Sequence, residues 1–96
     1  MKKIFLLTTD EFINEIEKTL LDKKIKLDYL FINGENKKIV KNKICKKIQF
    51  VNKHNIDQFN KFLEKIDDEI LIISLFWNFI IPQKILKKRN LKIYNI

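Results

Sequence analysis

The 96-residue chain has one glycine, one proline, one cysteine and one histidine, and each scarcity removes a class of mechanism. A single glycine, Gly34, cannot build a G-x-G-x-x-G dinucleotide loop or a P-loop, both of which need bare backbone at several points around phosphate. A lone cysteine, Cys45, excludes an internal disulfide, and His54 alone beside it offers no zinc-type ligand set. A reducing, cytoplasmic setting is the expectation. Long apolar runs are missing as well: nothing approaches the roughly 20 residues that a membrane helix needs. Met1-Lys2-Lys3 followed by Ile4-Phe5-Leu6-Leu7 has the outline of a signal peptide, but the run halts at Thr8-Thr9-Asp10-Glu11 and reads as a first strand.

Arginine is scarce too, with Arg89 alone, whereas lysine, isoleucine and asparagine dominate. The formal charge of +8 and pI near 9.6 would ordinarily suggest nucleic acid or an acidic membrane surface. The three favoured residues are those of an AT-rich coding sequence, which accounts for the lysines without a ligand. At 46% hydrophobic and 33% charged, the composition is that of a soluble folded chain, and 96 residues allow one domain.

Hydrophobic periodicity sets out an alternation of strands and helices. Lys3 to Leu7 is a strand, and Thr8-x-x-Glu11 has the form of a capping box for a helix that begins near Thr9 and ends near Asp22. Its apolar face is Phe12, Ile13, Ile16 and Leu20. Leu27 to Ile32 is a second strand, stopped by the turn Asn33-Gly34-Glu35-Asn36. Lys37 to Lys47, with six lysines among Ile39, Val40, Ile44 and Cys45, suits a short amphipathic helix or an ordered loop. Ile48 to Val51 is a third strand, and Asn55-x-x-Gln58 caps a helix with Ile56, Phe59, Phe62, Leu63 and Ile66 on one side. Ile70 to Phe76 is apolar on both faces, as a central parallel strand should be. Pro82 suits the first turn of a helix, Lys87 and Lys88 its negative end, and Leu91 to Ile96 forms a fifth strand. The order predicts an α/β fold, a Rossmann-like doubly wound parallel sheet in one domain spanning 1–96.

In such sheets ligands bind beyond the carboxyl ends of the strands, so Thr8 to Glu11, Asn33 to Asn36, Asn52 to His54 and Phe76 to Ile81 are the informative stretches. A response-regulator receiver shares the element order but needs a carboxylate at the end of the third strand, where this chain has Val51-Asn52. On pattern alone Trp77 and Phe79 are packing aromatics, Asn95 is an ordinary strand-end residue, His54 a solvated loop histidine and Cys45 a small buried hydrophobe. Asp67-Asp68-Glu69 reads as an acidic turn in preference to a metal cluster.

The stretch from Asp68 to Ile96 resembles the amino-terminal, formyltetrahydrofolate-binding domain of the formyltransferase family. There a central strand ends in an apolar folate-binding loop closed by Ile-Pro or Leu-Pro and a helix, and the next strand runs into Asn-x-His-Pro-Ser. Here Leu75-Phe76-Trp77-Asn78-Phe79-Ile80-Ile81-Pro82 matches the loop, and Asn95-Ile96 matches the first two motif positions. Thr9-Asp10-Glu11-Phe12 looks like the Thr-Pro-Glu-Phe turn that many members carry after the first strand. The resemblance implies formyl transfer from formyltetrahydrofolate to an amine borne by an amino sugar or an aminoacyl-tRNA of the methionyl-tRNA type. It makes Asn95 a catalytic donor to the tetrahedral oxyanion, and it puts Trp77, Asn78, Phe79, Ile80 and Ile81 at the pterin. The family's histidine would follow Ile96 and its aspartate comes later still. The expectation is therefore a domain incomplete at its carboxyl end and inactive alone, whether from a partial record or from a decayed or frameshifted gene. The glycines of the glycinamide ribonucleotide branch are missing from Thr8-Thr9-Asp10. The competing expectation is a small basic α/β module that binds nucleic acid or an acidic partner through Lys37, Lys38, Lys41 and Lys43.

Overall fold

A computed structural model describes residues 2–34 and 45–95. Strands β1 (Lys3–Thr9), β2 (Leu27–Asn33), β3 (Cys45–Val51), β4 (Ile70–Ser74) and β5 (Leu91–Asn95) form one parallel sheet in the order β3-β2-β1-β4-β5. Helices α1 (Ile13–Asp22), α2 (Ile56–Lys65) and α3 (Gln83–Leu86) lie between them in sequence. This is a Rossmann-like doubly wound sheet, with its switch of winding direction between β1 and β4. The radius of gyration is 12.8 Å, near the ~12.5 Å of a folded domain this long. No described helix is long and apolar enough to cross a membrane.

Alternation along the strands separates two cores. Phe5 and Leu7 of β1, Phe31 of β2 and Ile70 and Ile72 of β4 point to the face covered by Phe59 and Leu63 of α2 and Ile85 of α3. Leu6, Leu30 and Ile32 point to the opposite face, where Ile16 of α1 and Cys45 join them. The middle strand is β1, buried from Phe5 through Thr9, and β4 lies beside it.

Several local expectations are corrected. The capping box does not form: Thr8 and Thr9 belong to β1, both hydroxyls are buried with no hydrogen-bond partner, and a 3-10 turn at Asp10–Phe12 opens α1. The central strand is longer than the apolar run because burial on both faces carries the threonines with it. Asn55 precedes α2 without capping it; its side chain turns back to the end of β3, accepting from Asn52 N–H at 2.8 Å and donating to Phe50 O at 3.0 Å. Lys88 caps a different helix from the one foreseen. Its Nζ donates to Leu63, Glu64 and Ile66 carbonyls at 2.8, 2.7 and 2.7 Å, closing the carboxyl end of α2. β3 starts at Cys45, three residues before Ile48, which places that thiol inside the sheet. β4 ends at Ser74 because Phe76 adopts φ 60° and turns the chain. The lone glycine serves a close approach, with φ outside the left-handed region: a Cβ on Gly34 would sit 2.8 Å from an Asp10 carboxylate oxygen.

Candidate functional site

The chain leaves β4 at the carboxyl edge of the sheet, beside the switch point. Leu75 N–H donates to Leu7 O at 2.8 Å, extending the pairing with β1 by one step before Phe76 breaks it. A left-handed phenylalanine is sterically costly, by roughly 1 kcal/mol. Phe76 is 54% exposed, and its ring stacks on Phe12 with centroids 4.4 Å apart, on the α1 side of the sheet. The next residues go to the other side. Trp77 lies against Phe59 and against Phe79, with centroids 5.5 Å apart in each pair, and Phe79 and Ile81 pack on the same core.

From Trp77 to Ile81 the loop therefore alternates like a strand. Trp77, Phe79 and Ile81 are half-buried and anchor it, while Asn78 is exposed and Ile80 is 91% exposed. The five residues singled out in the sequence come together in space with two different roles: three hold the loop, and two are presented to solvent. The indole Nε1 of Trp77 is buried with no acceptor, and Thr8 and Thr9 contribute two more unpartnered buried hydroxyls at the end of β1. An unmet buried polar group costs about 1–3 kcal/mol.

Asn95 ends β5, exposed, with Ser74 as its partner across the ladder. Neighbouring strands run about 4.8 Å apart, so Asn95 stands next to the point where the loop departs. His54 is remote from this pair, exposed in the turn after β3, its N–H donating to Asn52 Oδ1 at 2.9 Å. The acidic turn lies at the opposite, amino edge, where Asp68 pairs with Lys3 at 2.7 Å. That exposed pair raises the Lys3 pKa through the hydrogen bond and the charge of Asp68. Burial pushes the Cys45 thiol up to about 11, which keeps it protonated and inert near neutrality.

The lysines Lys37, Lys38, Lys41 and Lys43 lie outside the described residues. Among the described ones, the exposed Lys47 has its Nζ 5.7 Å from the Tyr29 ring centre. A feature that sequence reading missed is an apolar groove of about 360 Å³ on the α1 side, floored by Leu6, Ile73 and Leu75 and walled by Phe12, Ile16 and Phe76. No local pattern signalled it, since it depends on Phe76 leaving the strand at φ 60° and folding over the same face as Leu75.

Searches against protein-family models, curated proteins and solved structures return no match to this chain.

Proposed function

We propose that the carboxyl edge of β4 and β5 binds the pterin of formyltetrahydrofolate, as part of a formyltransferase that passes the formyl group to an amine. The observation that carries this reading is the register Ser74 to Asn95, which sets an amide side chain beside the apolar loop 75–81. The loop supplies an exposed apolar contact in Ile80 next to the exposed amide of Asn78, suited to a ligand with an apolar face and a polar rim. Asn95 would donate to the oxygen on which charge develops. The acceptor classes in keeping with the same resemblance are an amino sugar or a methionyl-tRNA type of aminoacyl-tRNA.

Trp77 is the chain's one tryptophan, so its fluorescence reports directly on the loop. Titration with a non-transferring 10-formyl folate analogue should quench it saturably. Ile80→Asp should weaken binding at least about tenfold, the loss of one well-placed apolar contact, with the far-ultraviolet spectrum unchanged. Absence of any saturable change up to millimolar analogue would remove the folate reading. A steep loss of affinity for single-stranded nucleic acid on adding salt would favour the basic-module reading in its place.

A further inference from the structure

Three neighbouring strands begin at an edge where positive charge is left unspent. Lys2 precedes β1, Glu69 precedes β4, and Arg89 and Asn90 precede β5, so all four stand at the amino edge of the sheet. With Ile70 and Lys92 they line a cleft of about 300 Å³. It lies about 16 Å along β5 from Asn95, at the opposite end of the sheet from the loop 75–81. The side chains around it are already committed. Lys3 Nζ donates to Asp68 at 2.7 Å, Lys88 Nζ to the carbonyls that end α2, and Asn90 Nδ2 to the Ile66 and Asp68 carbonyls at 2.8 and 2.9 Å. Lys88 and Asn90 thus pin the turn on both sides of Arg89, and Leu91 N–H closes it on Lys88 O at 3.4 Å. Arg89 is exposed between them on a fixed backbone. Among the described residues, Lys2, Arg89 and Lys92 enter no ion pair.

We propose that this cleft binds a phosphate monoester. Its lining carries three positive charges and one negative, a net +2, against the roughly −2 of a monoester near neutrality. Arg89 supplies a planar fork that can grip two phosphate oxygens at once, while Lys2 from the β1 side and Lys92 from β5 supply movable point charges. The lysine bias of the chain accounts for lysines anywhere on its surface. It does not account for the chain's one arginine standing on a turn that two side chains hold in place. Glu69 limits the ligand. A carboxylate in the lining tolerates a single anionic group held by three cations, but it repels the run of charges along a nucleic-acid strand. The volume suits a phosphate with a small, sugar-sized body, at the lower end of small-molecule sites. The site stands apart from the folate reading and does not rest on it.

The test is titration of the full chain at low ionic strength with inorganic phosphate and with ribose 5-phosphate, followed through the backbone amide resonances of Arg89, Asn90 and Lys92. Both should shift these saturably, with dissociation constants of about 1 mM or below, and leave the loop 75–81 unmoved. Arg89→Gln should weaken binding about tenfold or more. Lys53→Gln, at an exposed lysine in the turn after β3, should leave it unchanged. Glu69→Gln should act in the opposite sense and tighten binding several-fold, because it removes the one negative charge of the lining. Arg89, Lys53 and Glu69 are all exposed, so the melting of each variant should match wild type. Absence of saturation up to tens of millimolar, equal losses from Arg89→Gln and Lys53→Gln, or weaker binding in Glu69→Gln would each overturn the proposal. So would an oligonucleotide without a terminal phosphate that shifts the same amides at lower concentration than the monoester.

Discussion

The two faces of the sheet are finished to different degrees. On the face under α2 and α3, ten buried residues form one core, knit by edge-to-face and stacked rings running Phe5, Phe31, Phe59 and Trp77 with Tyr29 and Phe62. On the α1 face the described core has six members, and it thins out over β4, where Ile73 and Leu75 floor an open groove. The loop after β4 draws on both. Its anchors Trp77, Phe79 and Ile81 sink into the finished face, and Phe76 lies over the open one. A loop held on one side and loose on the other can present Ile80 rigidly while leaving room beside it.

The comparison can be broken most strongly at Phe31. Phe31→Ala removes a ring that touches Phe5, Tyr29, Phe59 and Phe62, and should cost about 3–5 kcal/mol in chemical denaturation, a large part of the stability of so small a domain. Next comes Lys88→Met, which keeps the stem but strips three carbonyls of their charged donor; a loss of about 2 kcal/mol is expected, with α2 the first element to exchange amide hydrogens. Lys84→Met, which breaks only the surface pair of exposed Lys84 with half-buried Glu64, should change stability by under ~1 kcal/mol.

Cys45 reports on the α1 face through pH. Its folded value, about 11, lies above the ordinary 9.0, so the thiol's contribution is intact below pH 9 and is lost as the pH rises through 9 toward 11, while the unfolded thiol ionises first. Wild type should lose up to about 2 kcal/mol more than Cys45→Ala over that window, measured by denaturation at each pH. Equal slopes for the two chains would mean that the thiol is not desolvated. On the groove floor, Ile73→Ala should cost only about 1–2 kcal/mol, well short of the Phe31 effect, because the side chain is half-exposed already. A cost as large as that of Phe31→Ala would show the α1 face to be as tightly closed as the other.

The smallest effect is a gain. Helix α1 ends in a Schellman motif, with Lys24 N–H on Leu21 O at 3.2 Å and Ile25 N–H on Leu20 O at 2.9 Å, and Lys24 holds φ 57° where glycine is usual. Lys24→Gly should raise the midpoint of thermal unfolding, equivalent to about 0.5–1 kcal/mol, without altering either core.

Much of the fold was legible because burial writes a period into the chain. The double-sided apolar run from Ile70 marks an inner parallel strand, and Phe59, Phe62 and Leu63 at helical spacing mark the inner face of α2. Where capping was read from motif alone, the reading failed for a physical reason. Thr8 and Asn55 each had a more demanding neighbour, the sheet in one case and the end of β3 in the other. Lys88 shows the same limit, since a lysine near a helix end serves whichever free carbonyls lie within reach, and these belonged to a helix 22 to 25 residues earlier.

By itself the sequence determined the α/β alternation and the lack of glycines for a phosphate-cradling loop, because periodicity and composition are properties of neighbours along the chain. Only the tertiary structure decided that Ser74 and Asn95 stand side by side and that Ile80 is presented while Trp77 and Phe79 are anchors. Those facts depend on strand order and register. Both arise from packing residues far apart in sequence onto one sheet, which no local window contains.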